Sequence, residues 1–203
     1  MKKVFILFTL LCTTLPASAQ GVSCCQKEAQ GCCRKNPVIE SIMTRTSVRQ
    51  YQNRTLSADT IEILLRAGMA APTARNCQPW HFVLITGKDV LEALGGRSKD
   101  APLAIAVCGD MTKALEGEAR EYWVLDCSAA TENILLAAHA LGLGAVWQGV
   151  YPIQQRVEQV SQLLKLPETL VPLNVIAIGY PGEAPAPKDK WKPENVTIRK
   201  GLE

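Results

Sequence analysis

Two short segments of the chain carry side chains whose types and spacing suit a polar, phosphorylated ligand. In Arg45-Thr46-Ser47-Val48-Arg49 two guanidinium groups stand four residues apart with a hydroxyl between them. Arginine donates two parallel hydrogen bonds from a planar fork, so such a pair can converge on one phosphate. Taken alone, the same spacing also describes a solvated helix face. The second segment, Ala71-Pro72-Thr73-Ala74-Arg75-Asn76-Cys77-Gln78-Pro79-Trp80-His81-Phe82, places turn formers and two carboxamides between a predicted helix and a predicted strand. Loops in that position present polar groups to ligands. Asn76 and Gln78 each offer a donor and an acceptor, matching the alternating acceptors and donors along the edge of a flavin ring. The bland alternative is a well-capped loop with Trp80 as core packing.

The residues for other common chemistries are missing. His81 and His139 are the two histidines, and neither has a second histidine at metal-ligand spacing. His139 falls on an apolar helix and reads as a satisfied core histidine. There is no Gly-x-Ser-x-Gly elbow and no Gly-Lys-Ser/Thr phosphate loop. Gly142-Leu-Gly-Ala-Val-Trp147 begins like a dinucleotide fingerprint, but Trp147 stands where the third glycine belongs and the segment follows a helix. Hydrolytic and phosphoryl-transfer mechanisms therefore lack their residues, which points to a cofactor that brings its own reactivity.

Helices and strands must alternate to hold these segments. Pro37 opens a predicted helix through Thr44, and Ser57 caps a second one whose Ile61, Leu64, Leu65 and Gly68 share a face. His81 to Thr86 reads as a strand and Asp89 to Leu94 as a short helix before Gly95-Gly96. Leu103 to Cys108 is a predicted buried strand. The longest helix is predicted from Glu121 to Leu141, apolar nearly all round, with Gly142 as its stop. Such a helix is buried in a core or at a subunit interface. Ala145 to Tyr151 reads as a strand, Gln154 to Leu166 as an amphipathic helix, and Val171 to Ile178 as the last strand before a proline-rich tail.

The 203 residues, 47% hydrophobic and 20% charged, accommodate one globular domain and some additional sequence. A net charge of +3 is too small to suggest a nucleic-acid protein. At the N-terminus, Lys2 and Lys3 precede the apolar run Val4 to Cys12, and Pro16 leads to Ala17-Ser18-Ala19. That order predicts a secretory leader over 1–19, cleaved after Ala19, and export to an oxidising compartment, the periplasm. Of eight cysteines, Cys24, Cys25, Cys32 and Cys33 fall in a polar stretch over 20–35 with little to bury, a predicted tether. Vicinal thiols there suit disulfides or a soft metal. Residues 36–203 form the predicted domain.

From about Val38 onward the chain resembles the FMN-dependent nitroreductase family. The resemblance rests on Arg45-x-Ser47-x-Arg49, on Pro72 to Trp80, on Gly144-Ala-Val-Trp147-Gln148-Gly149, and on Ile178-Gly-Tyr-Pro-Gly-Glu183 with Lys188 and Lys190 behind it. It implies an α+β fold, a mixed sheet flanked by helices, in an intertwined homodimer with flavin sites at the subunit interface. It implies that Arg45, Ser47 and Arg49 hold the FMN phosphate and ribityl end, joined by Lys188 or Lys190. Pro72, Asn76 and Gln78 would address the ring or ribityl chain, with Trp147, Gln148 and Gly149 beside the reactive ring nitrogen. The family often has an acidic residue where this chain has Gln148. The implied activity is ping-pong transfer from NAD(P)H to nitroaromatic or quinone-like acceptors. An exported location raises a redox partner as the electron donor instead. Two other readings stay open: a superfamily relative with dehalogenase or flavin-fragmenting chemistry, and an exported flavin- or metal-binding module using Cys24 to Cys33.

Overall fold

Alternating helix-period and strand-period segments give three layers in the computed structural model, which describes residues 36–201. The predicted leader, 1–19, and tether, 20–35, lie outside the described residues. The elements run α1 (Pro37–Thr44), α2 (Ala58–Met69), β1 (Trp80–Ile85), α3 (Lys88–Leu94), β2 (Leu103–Asp110), α4 (Tyr122–Ala140), β3 (Gly144–Gly149), α5 (Gln154–Leu163) and β4 (Leu170–Gly179).

The strands form one sheet in the order β1-β2-β4-β3, and every neighbouring pair is antiparallel. The α+β class is as expected, but the parallel component of the sheet is confined to an isolated bridge between Ser47 and Ala145. The topology explains this. After β2, α4 carries the chain across so that β3 runs in the same direction as β2, one strand width away. Then α5 returns it, and β4 enters the gap from the opposite end.

One sheet face meets α2 and α4 through Leu103, Ile105, Val107, Ile176 and Ile178; the other meets α3 and α5 through Ala104, Ala106 and Val175. A register shift in β2 between Val107 and Cys108, opposite the Pro172–Asn174 stretch, changes the phase. Leu173 and Ile176 therefore share the α4 face despite their odd spacing. Within α4, Trp123, Cys127, Ala130, Ile134 and Ala138 recur at helical spacing and are buried. Each large member contributes roughly 1.5–3 kcal/mol by burial. Gly68 lets α2 approach, since a Cβ there would lie 2.9 Å from Ile134 Cδ1.

Local chemistry sets the ends of the elements. The Ser57 hydroxyl accepts from the Thr60 amide at 3.3 Å and starts α2. Gly142, at φ 72°, turns the chain so that the Leu143 amide donates to the Ala138 carbonyl at 2.8 Å. The second strand continues to Asp110, beyond the predicted Cys108, and two predicted elements end two or more residues too late. The third strand stops at Gly149, not Tyr151, because the Val150 and Tyr151 amides both donate to the Leu173 carbonyl at 3.0 Å and end the ladder. The last long helix stops at Leu163, not Leu166, because Lys165 adopts φ 52° and the Leu166 amide returns to the Ser161 carbonyl.

Candidate functional site

The Arg45–Arg49 segment is stitched to the protein on two sides. The Val48 amide donates to the Ala145 carbonyl at 3.1 Å, laying the segment along the outer edge of β3. The Tyr51 hydroxyl donates to the Val48 carbonyl at 2.8 Å, with the Ala177 carbonyl of β4 3.1 Å away. Burial pushes this phenol well above its ordinary range despite the opposing pull of Arg49, so it remains a donor. On the other flank, the Gln52 amide donates to the Tyr180 carbonyl and the Gly182 amide to the Gln50 carbonyl. The Arg49 amide also donates to Glu183 Oε1 at 2.6 Å.

This second seam brings the chain after β4 beside the arginines. Arg45, Ser47 and Arg49 line one cleft of about 780 Å³ with Lys188, Lys190 and Trp191. Four basic side chains and one acidic one, Asp189, line it, with Glu132 and Glu183 behind Arg45 and Arg49. Arg45 pairs with Glu132 of α4 at 3.3 Å and keeps only 20% side-chain exposure. A hydroxyl and a set of cations from two strands of chain form a phosphate-binding donor set. The cleft's volume suits a nucleotide-sized ligand. The residues present therefore fit the phosphate end of FMN.

β3 supplies a different feature. The Ala145 carbonyl faces outward to Val48, so by the two-residue period the backbone groups of Trp147 and Gly149 also face away from β4. The segment through Val48 covers the start of this edge and leaves its end open. Arg156 Nη1 donates to the Gly149 carbonyl at 3.2 Å, leaving the Gly149 N–H as an outward donor. Trp147 is 37% exposed. Gln148 points elsewhere: its Oε1 accepts from the Arg97 amide at 2.7 Å and its Nε2 donates to Ser98 Oγ at 2.7 Å. Gln148 thus works as a clamp on the Gly95–Ser98 turn.

The third group occupies the loop between α2 and β1. Pro72, Asn76 and Gln78 are exposed, and Gln78 Nε2 donates to Asn76 Oδ1 at 3.0 Å. Arg75, Asn76 and Gln78 all have left-handed φ, at 51°, 55° and 50°. Such geometry costs an ordinary L-residue about 1–2 kcal/mol, less for Asn. The loop is held by Thr73 Oγ1, which accepts from the Gln78 amide, and by Asp126 Oδ1, which accepts from the Ala74 amide at 2.9 Å. Burial and then the Asp126 carboxylate push the Cys77 thiol up, and it donates to Asp126 Oδ2 at 3.7 Å.

The comparisons with known proteins agree with these features. The Nitroreductase family model matches residues 42–105 and 92–180. The chain belongs to the nitroreductase family. It is 44% identical over 173 residues to a Methanothermobacter thermautotrophicus protein provisionally named NADH dehydrogenase/NAD(P)H nitroreductase, spanning 82% of this chain and 88% of that one. It is 28% identical over 176 residues to the oxygen-insensitive NADPH nitroreductase of Salmonella typhimurium, spanning 79% and 72%. Among solved structures, a provisionally named nitroreductase from Desulfovibrio desulfuricans in complex with FMN superposes with a TM-score of 0.69 at 30% identity, over 83% of this chain and 99% of that one.

The nitroreductase fold thus gathers five of the sequence-nominated residues, Arg45, Ser47, Arg49, Lys188 and Lys190, around one cleft. Pro72, Asn76 and Gln78 do not line it. Their anchor, Asp126, and the Arg45 partner, Glu132, are six residues apart on α4, about 9 Å along its axis and on different sides. Sequence reasoning missed both acidic anchors, because each contacts a segment remote in the chain. His139, expected as a satisfied core histidine, is satisfied, with Nε2 2.9 Å from Thr44 Oγ1, but half-buried in the last turn of α4, not in the core. Trp80 stacks on Phe82 with centroids 5.7 Å apart, the packing role foreseen for it.

Proposed function

We propose that this chain is an FMN-dependent NAD(P)H oxidoreductase that reduces nitroaromatic or quinone-like acceptors in two successive half-reactions and works as a homodimer. The observation that carries this reading is the convergence of Arg45, Ser47, Arg49, Lys188 and Lys190 on one cleft in a nitroreductase-family chain. Held by Arg45, Ser47, Arg49, Lys188 and Lys190, FMN would supply the hydride-accepting and electron-donating chemistry, with a reduced nicotinamide and an acceptor using one place in turn.

The chain's own contribution is binding, orientation and the exclusion of water. The four cations hold the phosphate and favour negative charge nearby, while Ser47 donates or accepts at the ribityl end. The outward Gly149 N–H offers a donor to the ring from a rigid strand. Asn76 and Gln78 stand on another side of α4, so a site that includes them draws their loop from a second protomer. Exposed apolar residues support that assembly: Leu125 is 60% exposed and Tyr122 48% on α4, and Met43 is 70% exposed on α1. No side chain is assigned as an obligatory acid or base.

We extend the reading to location on the basis of the leader pattern over 1–19: the chain is exported to the periplasm, with Cys24, Cys25, Cys32 and Cys33 in its tether. A periplasmic enzyme lacks a cytoplasmic nicotinamide pool, which favours a redox protein as a second electron source. The deciding experiment is anaerobic titration of the flavin-loaded protein with NADH and NADPH, followed by reoxidation with nitroaromatic and quinone panels. Bleaching by one equivalent of nucleotide and recovery by an acceptor is the expected result. No bleaching by either nucleotide overturns the donor assignment, and a flavin-loaded monomer in light scattering overturns the dimer.

A further inference from the structure

We infer that Asp126 and Cys77 are positioning residues for flavin binding, holding Arg75 and Asn76 in left-handed backbone geometry from the first turns of α4 and so placing the Asn76–Gln78 carboxamide pair. The inference rests on the flavin reading above for its functional half.

Asp126 is 5% exposed and buried among the core-facing residues of α4. A carboxylate so placed needs hydrogen-bond donors to compensate for lost hydration. Its donors both come from the remote loop: the Ala74 amide to Oδ1 at 2.9 Å and the Cys77 thiol to Oδ2 at 3.7 Å. These contacts bracket Arg75 and Asn76, whose φ values of 51° and 55° an unconstrained chain populates poorly. The left-handed pair turns the backbone, and the outcome is the exposed Asn76–Gln78 carboxamide pair at 3.0 Å. Strained backbone persists where surrounding contacts over-determine it; here the turn's own bonds, from the Asn76 amide to the Thr73 carbonyl and from the Cys77 amide to the Ala74 carbonyl, are joined by two side-chain acceptors, the Asp126 carboxylate and Thr73 Oγ1. Asp126 and Cys77 reach the loop backbone and each other, not the exposed carboxamides. They act by fixing where two carboxamides point.

The test has two independent readouts. The first is FMN affinity with the visible spectrum of the bound flavin. The second is the rate of trypsin cleavage after Arg75, which is exposed, measured on apoprotein under native conditions. D126A is expected to weaken FMN at least tenfold and to accelerate that cleavage at least tenfold. D126N keeps an acceptor for the Ala74 amide and is expected to recover most of both. C77S keeps a donor to Asp126 and behaves as wild type, whereas C77A shifts both readouts in the direction of D126A. Should D126A not fold, the C77A and C77S pair decides. Wild-type cleavage and affinity in D126A, or in C77A in that case, overturn the inference. Faster cleavage with unchanged affinity overturns its functional half alone. Wild-type protein that takes up no FMN overturns the flavin reading instead, and cleavage at Arg75 still judges the loop anchor.

Discussion

The Val48 amide donates to the Ala145 carbonyl at 3.1 Å, and this one contact joins the segment bearing Arg45, Ser47 and Arg49 to the edge strand bearing Trp147 and Gly149. It sets where the basic cleft ends and the open strand edge begins. It also depends on Gly144, where an added Cβ would lie 2.5 Å from Val48 Cγ1 and 2.7 Å from Val48 Cβ.

Gly144→Ala should therefore push Val48 off the edge of β3. Overpacking of this kind costs about 1–3 kcal/mol. The expected result is a lower midpoint in chemical denaturation together with weaker FMN binding, measured by fluorescence quenching of the free flavin. A fall in stability with unchanged FMN affinity would show that the Val48 contact does not position the arginines.

Arg45→Ala combined with Arg49→Ala should give a folded, flavin-poor protein. Hydrogen bonds to charged groups contribute about 1.5–3 kcal/mol each, so the pair should weaken FMN roughly 10²-fold to 10⁴-fold. Circular dichroism checks the fold and absorbance of the purified protein checks occupancy. Full occupancy after both changes refutes the phosphate assignment.

Gln148 separates two views of its position, a contact to the flavin ring and a clamp on a turn. Its side chain is spent on the Arg97 amide and Ser98 hydroxyl, and Ser98 is 1% exposed. A glutamate can accept from the Arg97 amide and, with the Ser98 hydroxyl turned from acceptor to donor, from Ser98 as well, so Gln148→Glu should keep FMN affinity within about threefold. Gln148→Leu leaves the buried Ser98 hydroxyl unpaired and should cost about 1–3 kcal/mol of stability. A large loss of flavin in the glutamate variant would place the side chain at the ring instead of the turn.

Alkaline pH should destabilise the domain through its buried thiols. Burial pushes Cys108 from an ordinary value of 9.0 to about 12, and burial with the neighbouring Cys108 and Asp126 pushes Cys127 up as well. The folded protein holds these protons more tightly than the unfolded chain does. Their contribution is thus complete below about pH 9 and is lost as pH rises towards 12. Each thiol should remove about 1.4 kcal/mol per pH unit in that window. Urea midpoints of the wild type and a Cys108→Ala variant between pH 8 and 11 measure it, and parallel curves would exclude the Cys108 contribution.

Much of the fold was legible because its signals are local. Ser57 as a cap, Gly142 as a stop and the 3.6-residue recurrence through Ile134 and Ala138 each act within a few residues of themselves. The two elements predicted too long have non-local or conformational causes: the Leu173 carbonyl that ends β3, and the left-handed Lys165 that ends α5. The antiparallel order of the sheet depends on β4 inserting between strands that precede it, which no window of sequence contains.

The same division runs through the site. Which side chains can bind a phosphorylated cofactor and a ring edge follows from residue type, because guanidinium, ammonium and carboxamide groups carry that chemistry wherever they stand. The folded chain alone makes Arg45, Ser47 and Arg49 meet Lys188 and Lys190, since two seams of backbone hydrogen bonds, to Ala145 and to Tyr180 and Gly182, bring them together. It likewise turned Gln148 into a clamp and made Asp126 the anchor of a strained loop. Side-chain chemistry is a property of residue type, whereas its direction and partners depend on contacts between segments far apart in the chain.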